Sequence, residues 1–324
     1  QVQQAPPSRR GMSDFAPSRF HGASERNVVV CSDNKIKIID DEGREIVEYD
    51  LKEDKITSST AFGDFVAVSS TGDVSTKGSK LGILDIGAAN AETGITNRDL
   101  DDLQNKNDSI YKWDRRLEGF TEAIGSTQDS FIFSLRGLGI YSMDVSRNGA
   151  EIEVNENWRL GYPEWDAKQA AGFLDGVATI TAGGGFVQII SEGGEWLSLS
   201  SEDGTILNRG VLQITDPVYR AIPLGPKGTF VMTRGSHAIL IDHDFNTLFN
   251  FTGLPGPVLD ARQVGTELRW TGWRHDGRLD FETLEFETFP RTEIGLGVLR
   301  TGLCLYNDGS FGNWGPYFSN SSVV

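Results

Sequence analysis

Short apolar runs of four to seven residues, rich in Val, Ile and Phe, recur along the chain and are bounded by Gly, Asp, Asn and Ser. Runs of that length and composition between turn-forming residues predict strands. Asn27–Cys31, Asp64–Val68, Ser130–Phe133, Gly185–Ile190 and Thr229–Met232 are of this kind. Each is followed by a second run that ends in an acidic or Asn-Gly turn, the signature of a hairpin. Ile36–Ile39 leads into Asp41-Glu42-Gly43, Gly139–Tyr141 into Arg147-Asn148-Gly149, and Trp196–Leu199 into Glu202-Asp203-Gly204. The unit returns as Ala238–Ile241 before Asp242–Asn246, Leu268–Trp270 before His275-Asp276-Gly277, and Leu303–Tyr306 before Asn307-Asp308-Gly309, with a looser copy at Leu81–Asp85.

Taking Gly43, Gly94, Gly149, Gly204, Asn246, Gly277 and Gly309 as turn markers gives steps of 51, 55, 55, 42, 31 and 32 residues. Their mean of about 44 falls within the period of a four-stranded propeller blade. A parallel α/β fold needs an amphipathic helix between strands, and one stretch, Asn97–Leu117, has the length for it. Its high charge predicts a polar insertion on the rim instead. Two or three packed sandwiches would need linkers that the chain does not show. The expected fold is all-β: a single β-propeller of seven blades, with six as the alternative count. The expected limits are an extended N-terminal arm over 1–27, a propeller over 28–318 with an insertion at about 87–120, and a short tail over 319–324.

The 324 residues are 38% hydrophobic and 23% charged, enough apolar material for a large core. The net charge of -16 repels phosphate backbones and anionic lipid, so general nucleic-acid binding is not expected. Only the arm inverts the sign, with Arg9, Arg10, Arg19 and Arg26 against Asp14 and Glu25; together with Phe15 and Phe20 it forms an expected interaction segment. No apolar run reaches membrane-spanning length, and QVQQAPPSRRGMSDF carries no apolar stretch of the kind a secretory signal needs.

His21, His237, His243 and His275 lack metal-ligand spacing, and two cysteines are too few for a paired zinc site. Asp242, Asp244 and Asn246 occupy the first, third and fifth positions of a calcium loop, but Thr247 and Gly253 stand where that loop needs Gly and Glu, so a hairpin turn is the favoured assignment. No GxSxG elbow or phosphate loop occurs, and Asp99, Asp101 and Asp102 read as a solvated charge run. No cofactor is implied. Most of the seven tryptophans are expected between blades; Trp270 and Trp273, three apart on one strand, point to opposite faces, which makes one of them a candidate ligand-facing aromatic. Cys31 falls in the first repeat and Cys304 in the last, which ring closure brings together as either a disulfide or two buried free thiols.

Strand, hairpin, Asp-Gly turn and strand in tandem resembles the β-propeller repeat superfamily, and Ser201–Thr205 carries a fragment of the Asp-box pattern. The arm Ala5–Gly11 and the final hairpin Leu305–Gly309 with Trp314 are similar to features of the propeller-bearing tail nozzle and head-to-tail hub proteins of short-tailed bacteriophages. That resemblance implies a non-enzymatic structural propeller, a homo-oligomeric or protein-bound subunit of a larger assembly, in a virion or extracellular setting more than in cytoplasm. The alternative is a propeller enzyme or carbohydrate-binding protein with its site at the channel mouth, marked by converging polar groups and perturbed carboxylates.

Overall fold

The apolar runs are the middle strands of antiparallel sheets that succeed one another around a ring. The structure, a computed structural model, describes residues 16–22, 26–32, 34–51, 55–71, 78–87, 110–166 and 175–315. The first sheet holds β1 (Pro17–Gly22), β2 (Asn27–Cys31), β3 (Lys35–Ile39) and β4 (Glu45–Asp50). The second holds β5 (Lys55–Phe62), β6 (Phe65–Thr71), β7 (Ser79–Asp85) and β8 (Trp113–Leu117). The third holds β9 (Thr121–Ser126), β10 (Ser130–Leu135), β11 (Gly139–Asn148) and β12 (Glu151–Gly161), and the fourth β13 (Val177–Gly183), β14 (Phe186–Ser191), β15 (Glu195–Ser200) and β16 (Ile206–Val211). The fifth holds β17 (Val218–Pro223), β18 (Thr229–Thr233), β19 (Ala238–Ile241) and β20 (Thr247–Phe251). The sixth is five-stranded: β21 (Val258–Val264), β22 (Glu267–Asp280), β23 (Phe286–Val298), β24 (Leu303–Tyr306) and β25 (Phe311–Asn313). No helix among the described residues is long and apolar enough to cross a membrane.

Every residue of β2, β10, β18 and β19 is buried. Successive strand residues point to opposite faces, so a strand buried throughout must be covered on both sides. Six apolar clusters supply that cover, one per joint. Val28 and Ile36 meet Val66 and Leu84; Ala67 and Ile83 meet Phe131 and Phe133; Ile132 and Ile140 meet Val187 and Ile189. Ile190 and Trp196 meet Val231 and Ile239; Phe230 and Leu240 meet Leu268 and Trp270; and Leu299 and Leu305 meet Phe20 and Val29, which closes the circle.

The ring is a β-propeller of six blades, which corrects the expected seven. Gly43, Gly149, Gly204 and Asn246 do sit between the third and fourth strands of their blades. Gly277, however, lies inside β22, which runs straight on to Asp280, and Gly309 turns β24 into β25 of the same sheet. Of the two short late steps, the first therefore ends in mid-strand instead of at a turn, and the second is an interval within one five-stranded blade. Gly94 lies outside the described residues, as do Arg9, Arg10 and Phe15. Pro17–Gly22, expected in an arm, is the first strand of the first blade, with Phe20 only 1% exposed. Within the expected insertion, Trp113–Leu117 pairs with β7 as an outer strand.

Among the described residues no strand is shared between the first and last blades, and side-chain contacts hold that joint. Gly297 lets β23 approach the Phe20 ring so closely that a Cβ there would lie 2.4 Å from it. Asp41 pairs with Arg300 at 2.8 Å and with Arg262 at 3.7 Å, and its carbonyl accepts from Thr301. Phe311 lies over Gly43, whose φ of +77 turns β3 into β4. Trp158 covers Gly204 of the next blade in the same way and donates to the Ser201 carbonyl at 3.0 Å, while Trp196 stacks at 3.7 Å on Phe245, which takes the left-handed turn position (φ +63).

Phe20→Ala is expected to lose about 3–5 kcal/mol of stability through cavity creation, and Gly297→Ala about 1–3 through overpacking. Because the added methyl collides with the ring that Phe20→Ala removes, urea unfolding of the double variant should show a loss smaller than the sum; strict additivity would mean the two do not form the seam contact.

Candidate functional site

Each inner strand carries one extra residue near its start. Pairing with the second strand slips between Pro17 and Arg19, Ile56 and Ser58, Val177 and Thr179, Val218 and Arg220, and Val258 and Asp260. In β9 the same irregularity falls opposite Phe133–Leu135. Such a bulge bends the strand and re-aims the side chains that follow it. Arg19, Ser58, Thr179, Arg220 and Asp260, each directly past the bulge, occupy equivalent positions of five blades and all line the central channel.

The channel holds a cavity of about 470 Å³ lined by all six inner strands and by Val298. Ser58, Ser59, Thr60, Ser126, Thr179 and Thr181 are among its lining residues, with Thr60 and Ser126 hydrogen-bonded to each other at 2.9 Å. Its ionisable lining is Arg19, Arg220, Arg262 and His21 against Asp260 and Glu122, so the interior of an acidic protein is richer in guanidinium than in carboxylate.

Most of these charges have partners fixed by the blades. Asp260 accepts the Val298 amide at 2.9 Å and pairs with Arg220 at 3.3 Å. Burial pushes its carboxyl up to about 6, against the pull of Arg220, the Val298 amide and Arg262. Arg220 also donates to the Phe20 carbonyl at 2.8 Å and reaches His21 Nδ1 at 3.5 Å. Burial, with Arg220 and Arg19 nearby, holds His21 well below the usual imidazole value, so the ring is neutral. A guanidinium only donates; His21 Nδ1 therefore accepts, Nε2 carries the proton and donates to Ser59 Oγ at 2.8 Å, and the Ser59 hydroxyl proton is left for the cavity. Arg262 is held by Asn27 at 2.9 Å and by Asp41.

Arg19 is the exception. Burial and the like charge of Arg220 both pull it below its ordinary value, and only the Tyr219 hydroxyl opposes them. No carboxylate among the described residues lies within ion-pair distance of it. On the far wall, Glu122 accepts from Tyr162 at 2.7 Å and lies 3.7 Å from Arg136; burial raises its carboxyl.

The other candidates fall elsewhere. Asp242 spends its carboxylate on its own turn, accepting from the Asp244 and Asn246 amides at 2.9 and 2.8 Å and from the Asn246 side chain at 2.9 Å. No cluster of three or more metal-ligating side chains occurs among the described residues. Trp270 is fully buried between the fifth and sixth blades, Trp273 is 48% exposed, and neither lines the cavity. Cys31 and Cys304 are buried free thiols, and burial drives the Cys304 thiol up to about 12. Asp99, Asp101 and Asp102 lie outside the described residues. Arg220, His21 and Asp260 carried no motif; the signal for them is position, on the polar segment just ahead of each apolar run.

The Asp260 carboxyl is expected to titrate near 6 in carbon-detected NMR. In Arg220→Gln the value should rise further, since the largest opposing effect is gone. A folded value above the unfolded 3.8 means that ionisation costs stability. Asp260→Asn should thus gain on wild type as pH rises from 4 to 7, by on the order of 3 kcal/mol at roughly 1.4 per pKa unit. Titration near 4 in both proteins would contradict the desolvated site.

No family model matches the chain, and no curated protein sequence matches it. Among solved structures it is similar to the β-propeller domain of Cps50 (Swd1) from Myceliophteria thermophila, at 10% identity and a TM-score of 0.63, over 94% of this chain and 97% of that one. It is also similar to the computationally designed protein Ika8, at 9% identity and a TM-score of 0.57, over 94% and 97% of the two chains. At such identities the likeness is one of fold, and the fold is a β-propeller.

Proposed function

We propose that this propeller is a binding protein that takes a small polar ligand into its central channel. The observation that carries the proposal is the cavity itself: about 470 Å³, lined by hydroxyls and guanidiniums. A few convergent polar groups on a rigid frame are what small-molecule sites use to fix orientation. These lining residues sit on strands held by buried neighbours, so they are organised before any ligand arrives, which lowers the entropic cost of binding. Glucose, succinate, benzoate and inorganic phosphate form a suitable panel. One of them is expected to raise the melting temperature saturably and to show intermolecular NOEs to the methyls of Thr60 and Thr181. NOEs confined to outer-strand methyls such as Leu248, or no saturable shift with any probe, would refute a channel site.

A second proposal, a packing unit of a larger assembly such as a phage tail, draws on Ile206, Leu207 and Leu248. These are 48%, 51% and 49% exposed on the outer strands β16 and β20 of neighbouring blades. Light scattering on the purified chain should then give a multiple of 35.5 kDa that Ile206→Lys with Leu248→Lys reduces to the monomer; a monomer at every concentration would count against it.

A further inference from the structure

We propose that the ligand of the channel is an oxyanion, a carboxylate or phosphate group of a small molecule, seated between the guanidiniums of Arg19 and Arg220 with the hydroxyls of Tyr219, Ser58 and Ser59 as further donors. The proposal rests on the channel being a ligand site and adds the chemical class of what enters it.

Two like charges, Arg19 and Arg220, line the same cavity. Arg220 has Asp260 as a counter-ion at 3.3 Å, whereas Arg19 has no carboxylate within ion-pair distance among the described residues. A half-buried guanidinium without a carboxylate partner is costly in a folded protein, and an anion bound between two of them removes that cost and screens their repulsion. The fork of each guanidinium suits paired oxygen atoms, so carboxylate and phosphate are favoured over a spherical halide.

The surrounding groups also present hydrogen atoms. Neutral His21 donates its Nε2–H to Ser59 Oγ, which leaves the Ser59 hydroxyl free to donate in turn. The Tyr219 hydroxyl lies beside Arg19, and Ser58 Oγ has no hydrogen-bond partner among the described residues. The Phe20 carbonyl, which would repel an anion, already accepts from Arg220. The one carboxylate at this level, Asp260, is turned to Arg220 and the Val298 amide. Glu122, on the opposite wall, is taken by Tyr162.

Arg19 is the residue to change, because the fold does not use its charge in an ion pair. Titration calorimetry on the full chain in low-chloride buffer should show succinate or inorganic phosphate binding to wild type, at least tenfold weaker binding to Arg19→Gln, and partial recovery in Arg19→Lys. Arg159→Gln, on the exposed outer strand β12, should bind as wild type does. The ligand-free melting temperature of Arg19→Gln should stay level or rise, since an uncompensated charge is removed; a fall of several degrees would assign Arg19 a purely structural role and overturn the proposal. Equal anion affinity in wild type and Arg19→Gln would also overturn it. Saturable binding of glucose, without succinate or phosphate, would refute the anion and leave the channel site standing. Binding of none of these probes would refute both.

Discussion

A β-strand whose every side chain is buried has to be covered on two faces, and this requirement organises the molecule. β2, β10, β18 and β19 each send successive residues into two different joints, as Val28 and Val29 do. A stack of sheets would leave its two end sheets half naked, whereas a ring gives every sheet two neighbours. The joint between the sixth and first blades is built as the others are, from side chains and one ion network. Closing the circle forces the first strand of every blade toward a common axis, so the cavity is a by-product of covering the middle strands.

What the axis does to chemistry follows from burial. Charged groups there lose water, and each drifts toward its neutral form: Asp260 upward, His21 downward, Arg19 below its ordinary value. The exterior behaves differently. Pairs such as Arg44 with Asp40 are exposed and contribute little to stability. A chain of net charge -16 thus encloses a channel whose lining is richer in guanidinium than in carboxylate.

The hydrophobic pattern exposes the second and third strands of each blade and conceals the first and fourth. Val28-Val29-Val30 announces β2, yet Arg19 and His21, ten or so residues earlier, look like part of a polar leader because a channel-lining strand faces water on one side. The outer strand Trp113–Leu117 reads as an insertion for the converse reason, since solvent meets one of its faces. Blade counting failed at Gly277: glycine in a long two-stranded ribbon and glycine in a turn are the same letter, and only the register tells them apart. The Asp242 loop was legible as a turn because short acidic side chains satisfy their own backbone there. Arg19 was noticed for its charge; that it shares a cavity with Arg220, two hundred residues away, is a fact of ring closure and of nothing local.

The repeated bulge separates two tasks that most sheets combine. Ahead of it, pairing residues such as Pro17, Val177, Val218 and Val258 anchor each inner strand to its blade; just past it, Arg, Ser, Thr, Arg and Asp occupy equivalent places. These positions differ freely in size and charge while the backbone around them stays the same. The ring therefore resembles a combination lock with interchangeable tumblers: five equivalent positions, each replaceable without rebuilding the blade behind it, so that the lining of the channel can change character while the frame stays the same.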